Sequence, residues 1–182
     1  MLGLLIEMKK IVPPYVRIKR VMRDISEHEA EAGATTTNLR QLAKTRMQKS
    51  GISCRCIRCR EIGLQNKEPQ SVDLIINEYE ASGGREFFIS YEDVGQGTLL
   101  GFLRLRVIGS SAFVRELHVY GEMTPIGEQS KQAQHKGIGK KLLERAEEIA
   151  LSFGISKLAV TSGVGVREYY RKLCYQLEGP YM

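Results

Sequence analysis

The segment QHKGIG at residues 134–139 runs without a break into apolar residues at Leu142, Leu143, Ala146, Ile149, Ala150 and Phe153, with Lys140, Lys141, Glu144, Arg145, Glu147 and Glu148 between them. That spacing makes an amphipathic helix with one apolar stripe. Gly137 and Gly139 let the backbone turn tightly and come close to a ligand. The free N–H groups of a loop at a helix N-terminus favour an anion, and a pyrophosphate is the natural guest. Gln134, His135, Lys136, Gly137, Ile138, Gly139 and Lys140 are therefore candidate phosphate contacts. His135 contributes mainly through its backbone, and Lys136 either pairs with a phosphate or is solvated. The lysine and serine of a P-loop are absent, as is the three-glycine dinucleotide fingerprint. Taken alone, the segment is also compatible with an ordinary helix start.

Its flanks narrow the choice. Residues 113–120, FVRELHVY, read as a strand ending at Gly121. After the helix, KLAVT at 157–161 reads as another strand, and VREYYRKL at 166–173 as a further helix. Upstream, VDLIINEYE (72–80) and EFFISY (86–91) surround Gly83 and Gly84 and predict a hairpin. Leu103, Leu105 and Val107 alternate with Arg104 and Arg106 and predict a strand with one wet face. The polar stretch 122–133 reads as a mobile loop. The expected fold is α/β, with a mixed, mostly antiparallel sheet and flanking helices over 71–182, preceded by a basic helical segment over 1–70.

The order of strand, anion loop, helix, strand and helix resembles the GNAT superfamily of acyl-CoA-dependent acetyltransferases. Their phosphate loop has the pattern R/Q-x-x-G-x-G/A. The sequences RELHVYG (115–121), SGVGVR (162–167), YYRK (169–172) and GPYM (179–182) further resemble the Elongator catalytic subunit family. So do PPYVRIKRVMRD (13–24), NLRQ (38–41) and CRCIRCRE (54–61). That resemblance implies a radical S-adenosylmethionine domain joined to an acetyltransferase domain, together modifying carbon 5 of the wobble uridine of tRNA with acetyl-CoA as donor. It implies that the backbone at Leu117, His118 and Val119 polarises the thioester carbonyl. It also implies that a tyrosine protonates the leaving thiolate. Adjacent helical residues point about 100° apart, so one of Tyr169 and Tyr170 faces the sulfur. The analogy favours Tyr170, with Tyr169 close behind and packing roles for both as the alternative. Glu116 and His118, two apart on one strand face, are candidates for orienting a water or acting as base, or else are ordinary strand residues. GNAT enzymes place two helices between their first two strands. The hairpin leaves no room for them, so the acceptor wall is expected to be incomplete.

Radical S-adenosylmethionine enzymes hold their iron–sulfur cluster through C-x3-C-x2-C. This chain has C-x-C-x2-C at Cys54, Cys56 and Cys59. The cluster and S-adenosylmethionine are thus expected only in a domain missing here, with residues 1–8 read as the tail of that domain or as an added segment. By itself the chain is then not expected to modify tRNA. Three close thiolates instead suggest a structural zinc site. Its fourth ligand is not evident. His28 or a group outside the chain is a candidate, Cys174 is expected to be a buried inert thiol, and three reduced cysteines without metal are the alternative. Cys174 follows the tyrosine helix where the GNAT pattern usually has glycine.

Charge is unevenly placed. Residues 1–60 hold 13 Lys and Arg against 5 Asp and Glu, a balance of +8, and the remainder holds 14 against 16, a balance of −2. A concentrated basic segment suggests phosphate contacts, and the resemblance points to tRNA at Arg17, Lys19, Arg20, Arg23, Arg40, Lys44 and Arg46. Thr35–Thr37 and Asn38 predict the start of a helix over 39–49 that Gly51 closes. The hydrophobic content of 42% is that of a globular protein, and no apolar run approaches a membrane span. No membrane partner is expected, and the cytoplasm is the expected compartment. Three functions remain open: an acetyl-CoA-dependent portion of a tRNA-modifying enzyme, a protein lysine acetyltransferase, and a non-catalytic module that binds tRNA and senses acetyl-CoA. The basic first third disfavours the second, which needs an acidic groove.

Overall fold

The computed structural model describes residues 1–21, 38–65, 67–120 and 137–182, which form two compact units, Met1–Leu64 and Gln65–Met182. Arg23, His28, the loop at 122–133 and the loop residues Gln134, His135 and Lys136 lie outside the described residues.

In the first unit, helix α1 (Leu2–Ile11) packs on α2 (Leu39–Lys49), and a short α3 (Ile57–Arg60) follows. Ile6, Ala43 and Met47 form the buried centre, with Leu2, Leu5, Ile52 and Cys54 against it. α2 buries Leu39, Ala43 and Met47 along one stripe, while Leu42 is 41% exposed. The helix ends as its glycine predicts. Gly51 takes φ +67°, its N–H donates to the Gln48 carbonyl, and the Ile52 N–H donates to the Met47 carbonyl. This paired closure satisfies carbonyls that the last turn would otherwise leave open. The segment after Pro13 and Pro14 joins no sheet among the described residues. Its carbonyls are taken by other groups: Val16 accepts from the Ile57 N–H, and Ile18 and Lys19 accept from Arg40.

The second unit is built on one five-stranded sheet in the order β1 (Asp73–Ala81), β2 (Gly84–Asp93), β3 (Thr98–Ile108), β4 (Ser111–Val119), β5 (Leu158–Val160). The first three pairings are antiparallel and β4 with β5 is parallel. β1 and β2 are joined directly through Ser82 and Gly83, both at positive φ (48° and 73°), so no helix intervenes between them. Such a turn matches the natural twist of a hairpin. Helix α4 (Ile138–Ser152) lays Leu142, Leu143, Ala146, Ile149 and Ala150 on the sheet through β2, β3 and β4. Phe153, expected at the end of that stripe, is 38% exposed and instead meets the Phe87 ring edge-on. Gly101 on β3 lies where this helix comes close. A Cβ there would sit 3.0 Å from the His118 carbonyl and 3.1 Å from Ile138.

The last helix is shorter than its pattern predicts. A 3-10 turn at Val164–Val166 leads into α5 (Arg167–Arg171). Its end explains why the resemblance expects glycine at position 174. Cys174 adopts φ +67°, its N–H donates to the Arg171 carbonyl, and the Tyr175 N–H donates to the Tyr170 carbonyl. That closure requires a left-handed residue. The cysteine there is exposed, not buried as expected, because the left-handed turn carries its side chain off the helix.

Candidate active site and cysteine knuckle

The sheet opens where the sequence expects a ligand. β5 pairs with β4 at three positions: Ala112 with Leu158, Phe113 with Ala159 and Val114 with Val160. The last link is the Thr161 N–H to the Val114 carbonyl. Beyond it β4 runs on to Val119 with no partner on its β5 side among the described residues. A bulge starts the divergence. Arg104 of β3 faces Glu116 while Leu105 faces Val114, which leaves Arg115 as the extra residue. A bulge bends its strand and ends regular pairing. The Tyr120 N–H donates to the Leu100 carbonyl on β3. By strand alternation, the N–H groups of Leu117 and Val119 then point to the opened β5 side.

Three elements converge on this opening. Val119 ends β4, Gly139 lies in the first turn of α4, and Tyr169 comes from α5. A Cβ added to Gly139 would lie 2.6 Å from the Tyr169 hydroxyl and 3.6 Å from Val119 Cγ2. Gly137 caps α4 at φ +91°, a left-handed conformation suited to glycine. No acidic residue lies in the first turn of α4, which carries Lys140 and Lys141. Cations at a helix N-terminus oppose the dipole, so this turn suits an external anion. Lys140 is 63% exposed and lies 3.6 Å from Glu144.

The two tyrosines differ. Tyr169 is 40% exposed, whereas Tyr170 is buried, its ring edge-on to those of Tyr169 and Tyr175. Burial pushes both phenols above their ordinary pKa, and Tyr169 adds to the effect on Tyr170. Tyr175 rises further through burial and its 2.6 Å hydrogen bond to Glu147.

His118 and Glu116 do share a strand face, with His118 Nε2 3.2 Å from Glu116 Oε1. The other carboxylate oxygen accepts from Arg104 Nε at 2.8 Å. The Arg104 guanidinium lies over the rings of Phe88 and Phe102, and the His118 ring stacks near Tyr120. Sequence reading missed Arg104. The signal was present in its alternation with Leu103 and Leu105, but its partner across the ladder depends on register. A separate cavity of 670 Å³ at the opposite end of β4 and β5 is lined by Ser111, Phe113, Leu158 and Tyr181 and contains none of the candidate catalytic residues.

In the first unit, the sulfurs of Cys54, Cys56 and Cys59 lie within 4.8 Å of one another. Among the described residues, no histidine, carboxylate or further cysteine joins them. Hydrogen bonds from Cys54 and then Cys59 hold the Cys56 thiol far below its ordinary pKa, while the same sharing pushes Cys59 up. Three thiols this close together form a group that could hold a metal ion. Arg60, 8% exposed, braces the knuckle by donating to the carbonyls of Arg55 and Pro14, each at 2.8 Å.

The basic candidates divide in role. Lys19, Arg20, Lys44 and Arg46 are exposed. Arg40 donates to the carbonyls of Ile18 (2.8 Å) and Lys19 (3.2 Å), and Arg17 lies 3.4 Å from Glu61. No helix among the described residues is long and apolar enough to cross a membrane.

An opened parallel strand pair beside a glycine-started helix defines an acyl-CoA acetyltransferase fold, and the acetyltransferase (GNAT) family model matches residues 55–174. The chain belongs to the GNAT acetyltransferase family. Within it, the chain is similar to Elongator catalytic subunits. It is 47% identical to Elongator complex protein 3 of Danio rerio over 94% of this chain and 34% of that protein. It is 46% identical to a tRNA uridine(34) acetyltransferase of Dehalococcoides mccartyi over 100% of this chain and 43% of that one. A solved structure of the archaeal Methanocaldococcus infernus Elp3, with an N-terminal deletion, superposes with a TM-score of 0.88 at 40% identity, covering 100% of this chain and 47% of that one. The chain therefore spans less than half the length of these relatives.

Proposed function

We propose that this chain binds acetyl-CoA at the opening between β4 and β5 and breaks its thioester in the service of tRNA wobble-uridine modification. The carrying observation is the convergence of Val119, Gly139 and Tyr169 where strand pairing has ended. Its likeness to proteins named tRNA uridine(34) acetyltransferase supports the choice of tRNA.

In this reading the pyrophosphate sits at the first turn of α4, on the N–H groups of Ile138, Gly139 and Lys140, with Gln134, His135, Lys136 and Gly137 completing the loop. The N–H groups of Leu117 and Val119 receive the carbonyl oxygen as negative charge develops on it. Water attacks the carbonyl carbon, the carbon–sulfur bond breaks, and Tyr170 gives its proton to the departing sulfur. The likeness to acetyltransferases favours Tyr170 for this role over Tyr169; burial raises its phenol's pKa, and Tyr169 adds to that. Tyr169, with its hydroxyl at the α4 start, acts in binding. His118 accepts the one proton that the attacking water loses, and Glu116, held by Arg104, orients it.

Cys54, Cys56 and Cys59 suit a structural zinc, which would cross-link the knuckle. The exposed Lys19, Arg20, Lys44 and Arg46, with Arg17, Arg23 and Arg40, form the tRNA surface. Each phosphate contact releases a counterion, so affinity should fall steeply with salt.

The test is CoA release by the full chain with and without tRNA. Stimulation by tRNA is expected. Acetylation of lysine peptides without any tRNA effect would favour a protein acetyltransferase. Binding of both ligands with no CoA release under either condition would leave a sensing module. Paired reversals at Lys19 and Arg20 should weaken tRNA binding and spare acetyl-CoA affinity by calorimetry.

A further inference from the structure

Helix α1 carries two adjacent lysines with different surroundings. Lys10 reaches Glu7 at 2.7 Å on the surface. Lys9 is 1% exposed, three residues after the buried Ile6 and on the same face. Its Nζ lies 3.4 Å from Cys59 Sγ, its one polar partner among the described residues. A buried ammonium is costly unless an anion sits beside it. No carboxylate among the described residues serves, and the cysteine knuckle does.

We propose that Lys9 is the charge partner of the cysteine cluster. Three thiolates around a divalent metal carry one net negative charge, and the Lys9 ammonium balances it without entering the coordination sphere. Its N–H to Cys59 ties α1 to the knuckle. This role rests on the metal reading above. Groups that hydrogen-bond to metal ligands orient them and tune their basicity, and so contribute to metal affinity.

The experiment compares zinc affinity of wild type, K9R and K9M by competition with a chromophoric chelator, alongside the absorption spectrum of each protein loaded with cobalt(II). K9M should bind about ten- to a hundredfold more weakly, K9R should stay close to wild type, and the thiolate bands of cobalt should keep the same intensity in both. Equal affinity in K9M assigns Lys9 to packing and overturns the proposal. Weakened K9R with altered cobalt d–d bands makes the amine a ligand and overturns it too. If K9M fails to fold by circular dichroism, K9R decides: retained affinity supports the charge role and lost affinity refutes it. A wild type that takes up no metal fails the metal reading itself, a result distinct from the other two.

Discussion

The cysteine knuckle gathers its three thiols from one short stretch, Cys54 to Cys59, while the opening at β4 draws on Val119, Gly139 and Tyr169, from three elements far apart along the chain. The first is made by a single turn of local backbone. The second exists only once a bulge has bent β4, α4 has settled on the sheet and α5 has closed behind it. Local sites depend on spacing, and convergent sites depend on every element that carries them. Damage to the knuckle should therefore remain a matter of metal and the first unit, whereas small changes far apart in sequence should interact at the opening.

Cys56→Ser should abolish stoichiometric metal, since it removes the central ligand. Acetyl-CoA affinity should be unchanged by calorimetry. A matching loss of acetyl-CoA binding would break the contrast between the two regions.

Tyr170→Phe keeps the ring and removes the hydroxyl proposed as the acid. It should slow tRNA-stimulated CoA release by about a hundredfold or more with little change in acetyl-CoA affinity. Because burial raises the phenol's pKa, the acid form persists through neutral pH, and this residue should impose no loss of rate below about pH 10. Full activity in Tyr170→Phe with loss in Tyr169→Phe would transfer the acid role to Tyr169.

Gly139→Ala sharpens the convergent side. Its new Cβ meets the Tyr169 hydroxyl at 2.6 Å, but that hydroxyl ends a 40%-exposed side chain that can swing aside, and alanine's better helix propensity offsets part of the loss, so the net cost stays below about 1 kcal/mol. Tyr169→Phe removes that hydroxyl, so the double variant should recover much of the stability lost by Gly139→Ala alone. Additive losses in chemical denaturation would mean the two residues do not meet.

The smallest effect is expected at Asp93, where the β2–β3 turn gives a local contrast within the second unit. Its carboxylate accepts from the N–H groups of Gln70 and Gln96 and, more weakly, Ser71, which hold its pKa below the usual range. A depressed folded pKa adds stability above the ordinary carboxylate value and loses it as pH falls through the folded value. Asp93→Asn should lower the melting midpoint at pH 7, and the difference from wild type should vanish in strong acid.

Periodicity together with cap and turn residues located α2, α4 and the β1–β2 hairpin, because each depends on neighbours within a few residues. Gly51 stops α2 and Ser82–Gly83 turns the hairpin for the same reason. The length of α5 was less legible, since a left-handed residue at Cys174 ends it where a glycine was expected. Lys9 was not legible at all: its i+3 relation to Ile6 marks the buried face, but a lysine there has meaning only beside the thiols.

The glycine-started helix, the order of strands around it and the three clustered thiols were readable from the chain, all products of local spacing and backbone freedom. That β5 stops pairing at Val114, that Arg115 bulges, that Arg104 holds Glu116 and that Tyr169 reaches Gly139 came from folding in three dimensions. Those facts depend on register and on packing between distant elements, where a shift of one residue would turn each side chain to the opposite face.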